Sequence, residues 1–276
     1  KQVQGGVSAE VALGSSDGEG RVRFLELSFE SPQVTVEGLT GSVALKSLFP
    51  PATPAAQELS AQRIVAGLPL DGPEVRFSLE PGSGPLPVLF IQRARADLFG
   101  GQLQLEDQRI DPGAEQPQVT LRVADLDLGA LFERLAVEGL SGSGRVSGRV
   151  PIRLAGDRVV IDTGQLEGQG PGVLRYRSDA ASRALGTAGE QVRLMLRALE
   201  DFRYDELTVT LDRPVEGDLR LKVSLLGSNP DVLDGYPFRI NINISGDVDP
   251  IIQALIRGRE LSGELLQRAL ELRTPR

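Results

Sequence analysis

The chain has 276 residues, with 38 acidic side chains against 30 Lys and Arg, a formal charge of −8, and neither His nor Cys. Without imidazole or thiol there is no His-based triad, thiol catalysis, disulfide framework or zinc cluster, and the acidic balance argues against binding nucleic-acid phosphates. The chain is 40% hydrophobic yet has no Trp and only three Tyr, so its apolar content is aliphatic. No stretch approaches the roughly eighteen apolar residues of a membrane-spanning helix.

Period-two alternation opens the chain at Val7, Ala9, Val11 and Leu13. Val22 and Phe24 follow, and then Leu25, Leu27 and Phe29 in the opposite phase, which predicts a bulge. Short alternating runs at 34–36 and 43–45 lead to a Pro-rich connection over 49–60. Beyond it Val75, Phe77 and Leu79 alternate with Arg76 and Ser78; Leu103 and Leu105 flank Gln104; and Val119, Leu121 and Val123 flank Thr120 and Arg122. A further strand is expected over 146–154.

Leu128, Leu131, Phe132 and Leu135 form one apolar stripe on a short helix over 127–137. A crossover helix is expected over 178–201, where Val192, Met195, Leu196 and Leu199 recur at helical spacing behind a cap at Ser178 or Asp179. The cleanest strands come late. Leu207, Val209 and Leu211 alternate with Thr; Leu219, Leu221 and Val223 alternate with Arg, Lys and Ser; and Ile240, Ile242 and Ile244 alternate with Asn and Ser. Asp249 and Pro250 open a C-terminal helix expected over 249–273. The fold class is therefore mostly β: a repeating antiparallel sheet of roughly ten to fourteen strands with few helices, in one segment over 1–276.

The chemical motifs have structural readings. Gly142-x-Gly144 and Gly168-x-Gly170-x-Gly172 complete no phosphate-binding fingerprint and read as turn or bulge glycines. The pairs Asp125/Asp127 and Asp247/Asp249 precede helices, where Asp caps free N–H groups. Asp17-Gly18-Glu19-Gly20 lacks calcium-loop spacing, and Lys222 and Ser224 share a solvated strand face without an oxyanion hole. A carboxylate glycosidase would need facing acids and aromatic sugar platforms, which this composition hardly offers. No catalytic residue, metal or cofactor is expected.

The sheet's aliphatic face must be hidden. A closed sandwich, an interaction module with no ligand, is one answer. A transmembrane barrel needs aromatic girdles that are missing here. A curved sheet whose apolar face lines a groove for acyl chains is the third, since a bare trough of that size exceeds the apolar patch a soluble monomer tolerates.

Short echoes, such as residues 38–43 with 139–144 and 99–103 with 163–166, fit a repeating hairpin unit. The runs Gly139–Ile152, Asp162–Tyr176, Ala198–Leu207, Gly217–Leu221, Leu226–Pro230 and Pro237–Ile244, in this order and spacing, resemble the C-terminal part of the YdbH family. That family is AsmA-like and related to the bridge-like lipid transfer proteins of the Gram-negative envelope. The resemblance implies a periplasmic β-groove, taco-like in section, that moves phospholipid from the inner to the outer membrane. It also implies an inner-membrane anchor N-terminal to this sequence, in a longer protein, and a small outer-membrane lipoprotein as partner.

On this reading the groove lining is Val75, Phe77 and Leu79; Leu103 and Leu105; Val119, Leu121 and Val123; Leu207, Val209 and Leu211; Leu219, Leu221 and Val223; and Ile240, Ile242 and Ile244. The lipoprotein is expected to add a strand along Tyr236, Phe238, Arg239, Asn241, Asn243 and Ser245.

Overall fold

A computed structural model of the chain describes residues 3–13, 18–31, 34–66, 68–82, 86–114, 116–155, 158–177 and 189–246. Strands β1 (Val3–Leu13), β2 (Gly18–Glu30) and β3 (Thr35–Leu45) open it, followed by the two-residue strands β4 (Ser47–Leu48) and β5 (Pro51–Ala52). Next come β6 (Gln57–Ser60), β7 (Arg63–Ala66), β8 (Leu68–Glu80), β9 (Val88–Leu98), β10 (Gly101–Ile110) and β11 (Gln118–Asp127). Helix α1 (Leu128–Leu135) leads to β12 (Leu140–Ser143), β13 (Arg145–Ala155), β14 (Arg158–Gly168) and β15 (Gly172–Tyr176). Helix α2 (Glu190–Leu199), β16 (Phe202–Arg213), β17 (Leu219–Ser228) and β18 (Phe238–Gly246) complete it.

Apart from the small β4–β5 hairpin, the strands form one antiparallel sheet of sixteen segments. Its order follows the chain almost without exception. Three of its strands are split by a short break: β6 from β7, β12 from β13, and β14 from β15. Rejoining those three pairs reduces sixteen segments to thirteen strands, each hydrogen-bonded to its neighbours in sequence. The result is a meander that begins at β1 and ends at β18, and these two do not pair, so the sheet is not a closed barrel.

The chain forms two compact units. The first holds the residues up to Leu98, Gln102–Arg122 and Pro151–Val160; the second holds Phe99–Gly101, Val123–Val150 and the described residues from Ile161 on.

Within the first unit the expected bulge in β2 is present. Glu26 adopts φ 50°, and the register with β3 slips between Phe24 and Leu27. Leu25 lies in the bulge and is 55% exposed, whereas Leu27 and Phe29 return to the half-buried face shared by Val22 and Phe24. On the opposite face Arg76 pairs with Glu58 at 3.2 Å and Arg95 with Glu74 at 2.7 Å, in both cases between residues in register. These pairs are half exposed or more, so each contributes at most a few tenths of a kcal/mol, roughly.

In the second unit Asp127, not Asp125, caps α1, accepting from the N–H groups of Gly129 at 2.7 Å and Ala130 at 3.1 Å. Asp125 instead occupies a left-handed position in β11, φ 51°, and its N–H donates to the Ser147 hydroxyl at 2.9 Å. Residues 178–188 and 247–276 lie outside the described residues. The proposed caps Ser178, Asp179, Asp247 and Asp249, the first half of the crossover helix and the C-terminal helix fall among them.

Tyr204 locks the split strands together. It is 2% exposed, and its hydroxyl donates to the carbonyl of Ser143 at 2.9 Å. Gly144, at φ 135°, and Gly172 stand on either side, and a Cβ at either would collide with the phenol oxygen. Burial raises the Tyr204 pKa above its ordinary value, so the phenol stays a neutral donor.

Two polar clusters fix the ends of α2 and β15. Asn229 is 2% exposed and donates through its amide to the carbonyls of Arg197 at 3.1 Å and Ala198 at 3.0 Å, closing the last turn of α2. Its side-chain oxygen accepts from the Asp231 N–H at 2.9 Å. Asp201 accepts from Arg175 at 2.8 Å and from Arg203 at 3.1 Å. Burial alone would raise its pKa, but hydrogen bonds from Arg203 and Arg175, with their charges, outweigh that and hold it below the usual value.

Replacing Asn229 by Ala takes the side-chain donor from two carbonyls in the last turn of α2, that of Arg197, part-buried, and that of Ala198, buried. Urea unfolding should register a loss of about 1–3 kcal/mol. A lowered Asp201 pKa contributes stability above the unfolded carboxylate range that is lost as pH falls. Thermal melts should therefore show the advantage of wild type over Asp201→Asn at neutral pH and its decline below about pH 4.

Candidate functional site

The period-two pattern places one aliphatic face on each unit, and strand register brings residues far apart in sequence into straight rows across it. In the first unit one row runs Phe24, Gly41, Leu59, Val75 and Ala94 over five strands; a second runs Phe29, Val36, Ile64 and Leu70. The face dips into a hollow of about 450 Å³ lined by Val36, Leu39, Leu59, Ala61, Ile64, Leu70, Val75, Ala94, Ala96, Leu103, Leu105 and Leu121. Ser60, Pro73, Glu74, Arg95 and Gln104 complete the wall, and no aromatic residue enters it. Its size suits a small-molecule pocket, but its polarity does not: few groups could orient a polar ligand.

Of the residues expected from the sequence to line a groove, Val75, Leu103, Leu105 and Leu121 meet at this hollow. Leu79 and Val119 are half-buried elsewhere on their strands, and Phe77 is only 8% exposed. Leu39, Leu59, Ile64, Leu70 and Ala94 were missed. Leu59 and Ile64 sit in four-residue strands, too short for alternation to register, whereas Leu39, Leu70 and Ala94 lie in strands of 11, 13 and 11 residues, and the run Ala94-x-Ala96-x-Leu98 carried the signal for the last of these.

In the second unit Val123 is 5% exposed and the late strands supply three rows. One joins Leu207, Leu225 and Ile240; the next joins Leu166, Val209, Val223 and Ile242; the third joins Leu211, Leu221 and Ile244. Leu219 lies beyond them, opposite Gly246. Thr208, Ser224 and Asn241 form a polar row on the opposite face, as do Thr210, Lys222 and Asn243.

Phe202 and Tyr204 belong to the apolar face although they are out of phase with Leu207. An extra residue in β16 between Tyr204 and Glu206 shifts the register and restores the phase. The sequence signal was the spacing Phe202-x-Tyr204-x-x-Leu207, an alternation with one added residue.

Burial along these rows is graded. Phe202 is 0% exposed and meets the Phe238 ring edge-on at 5.4 Å; Leu207, Leu225 and Ile240 are 6%, 1% and 4% exposed. The next two rows are half-buried. Ala198 and Leu199 at the end of α2 are buried at 0% and 5%.

The possible Ser–Lys pair does not form a dyad. Ser224 accepts from Arg239 at 3.1 Å, and Arg239 also holds Glu206 at 3.1 Å, while Lys222 is exposed. Along the proposed partner edge, Tyr236 is 76% exposed, Phe238 is half-buried, and Arg239, Asn241, Asn243 and Ser245 are exposed. Among the described residues β18 pairs with β17 alone. No helix among them is long and apolar enough to cross a membrane.

A family model described as YdbH-like, intermembrane phospholipid transport protein YdbH, matches residues 2–270. No curated protein and no solved structure matches the chain. An extended meander with an aliphatic, aromatic-free hollow accords with that assignment, and the match covers nearly the whole sequence: the chain belongs to the YdbH-like family of intermembrane phospholipid transport proteins.

Proposed function

We propose that this chain is a non-enzymatic conduit segment whose aliphatic face shelters phospholipid acyl chains on their way from the inner to the outer membrane of a Gram-negative envelope. The observation that carries the reading is the apolar hollow of about 450 Å³ in a member of a phospholipid transport family. Each methylene taken from water contributes about 0.8 kcal/mol. A wall of Leu, Ile, Val and Ala supplies that gain without fixing the position of any one carbon. Headgroups stay in solvent beyond the strand ends.

A closed sandwich would need a second sheet of comparable size, and among the described residues the other sheet has two strands. The side of β18 that no described strand pairs carries backbone groups that an added strand would pair. We assign that side to a small outer-membrane lipoprotein, with an inner-membrane anchor at the opposite end of the full-length protein in the periplasm.

Native mass spectrometry of the purified chain, with organic extraction, should find phospholipid of mixed headgroups. Leu105→Asp should remove most of it while leaving the circular dichroism spectrum unchanged. A wild-type chain that is lipid-free and refuses added phospholipid would reverse the assignment in favour of an interaction module. Photocrosslinkers at Asn241 and Asn243 should capture an outer-membrane lipoprotein in cells; persistent failure there, with lipid binding intact, would move the docking surface elsewhere.

A further inference from the structure

The second unit divides its aliphatic face into a part that can meet lipid and a part that cannot. We propose that lipid in this unit travels only along two rows, Val209–Val223–Ile242 and Leu211–Leu221–Ile244, and that the neighbouring row Leu207–Leu225–Ile240 is a structural floor. The proposal rests on the transport reading and sharpens it: of nine residues alike in sequence pattern, six carry the ligand and three hold the fold.

Register fixes which residues belong together, because Leu207 faces Leu225 and Leu225 faces Ile240 across β16, β17 and β18. That row is no more than 6% exposed at any position, while all six residues of the other two rows are half-buried. The difference has a structural cause on the side of the floor row away from the β16–β17 turn. There Phe202 is fully buried, its ring meets that of Phe238, and Tyr204 is wedged against the Ser143 carbonyl. The end of α2 belongs to the same region: Ala198 and Leu199 are buried, and Asn229 at the end of β17 ties the Arg197 and Ala198 carbonyls in place. Opening the floor row to an acyl chain would require parting packed rings and breaking the hydrogen bonds of Tyr204 and Asn229, whereas the side chains of the other two rows are already partly exposed.

The two remaining rows suit a diacyl lipid. Residues two apart on a strand are roughly 7 Å apart, so the rows form parallel tracks across the strands. Both consist only of Leu, Val and Ile. Among the described residues the row of Val209, Val223 and Ile242 continues to Leu166 on β14, which extends the track toward the start of the meander. The charged and hydroxyl side chains of the same strands, such as Lys222, Thr210 and Asn243, share the other face.

Photo-leucine has nearly the shape of leucine, so it tests buried and half-buried positions without disturbing either. The chain would be produced with photo-leucine, loaded from phosphatidylethanolamine–phosphatidylglycerol vesicles, irradiated, and its lipid adducts mapped by peptide mass spectrometry. Adducts are expected at Leu211 and Leu221, and at Leu105 in the first unit, with yields at Leu207 and Leu225 at least tenfold lower. Comparable yields at Leu225 and Leu221 would overturn the proposal, as would adducts at Leu105 with none at Leu211 or Leu221. No adduct at any of these leucines would remove the transport reading itself, and the floor-and-track division with it.

Discussion

A β-strand shows its residues alternately to two sides, so a slip of one position exchanges its faces entirely. Everything else in this protein depends on keeping one face of the strands aliphatic within each unit. The chain does so by correcting its phase where the sequence falls out of step. The added residues near Glu26 in β2, near Asp205 in β16 and at Thr163 in β14 each change the count by one and return the following residues to the correct side. Without the correction in β16, Phe202 and Tyr204 would point into solvent and the locked corner of the second unit would not exist.

A large apolar face held by register alone would be exposed to unwanted association. The structure guards it in two different ways. In the second unit part of the face is packed under aromatic rings and pinned by hydrogen bonds from the Tyr204 hydroxyl and the Asn229 amide to backbone carbonyls. In the first unit no comparable aromatic cluster lines the hollow, and most of its wall is aliphatic, with Ser60, Glu74, Arg95 and Gln104 completing it. The opposite face is made wettable by cross-strand Arg–Glu pairs, whose separate contributions are small.

The sheet, its alternating faces and the bulge in β2 were legible because each rests on a local pattern of aliphatic and polar residues. So was the position of α1, where an apolar stripe follows an Asp able to cap it. The identity of the cap, Asp127 rather than Asp125, was not legible, since both precede the stripe and only backbone geometry separates them. The distinction between buried and open aliphatic rows was equally hidden. Leu221 and Leu225 sit in one uninterrupted alternating run, and what differs is the company their neighbours keep across the sheet. The short strands β6 and β7 escaped notice because four residues are too few to establish a period, yet they furnish Leu59 and Ile64 to the hollow.

The meander order also bears on how such a chain reaches its native state. Each strand finds its partner within the next few tens of residues, so no pairing has to wait for the far terminus to appear. Loop-closure cost stays low throughout, and structure can grow from whichever end is delivered first, as a zipper does. A polypeptide that emerges gradually from a narrow exit can therefore bury its aliphatic residues strand by strand, and the length of greasy chain left unprotected at any moment is set by one hairpin rather than by the whole sheet.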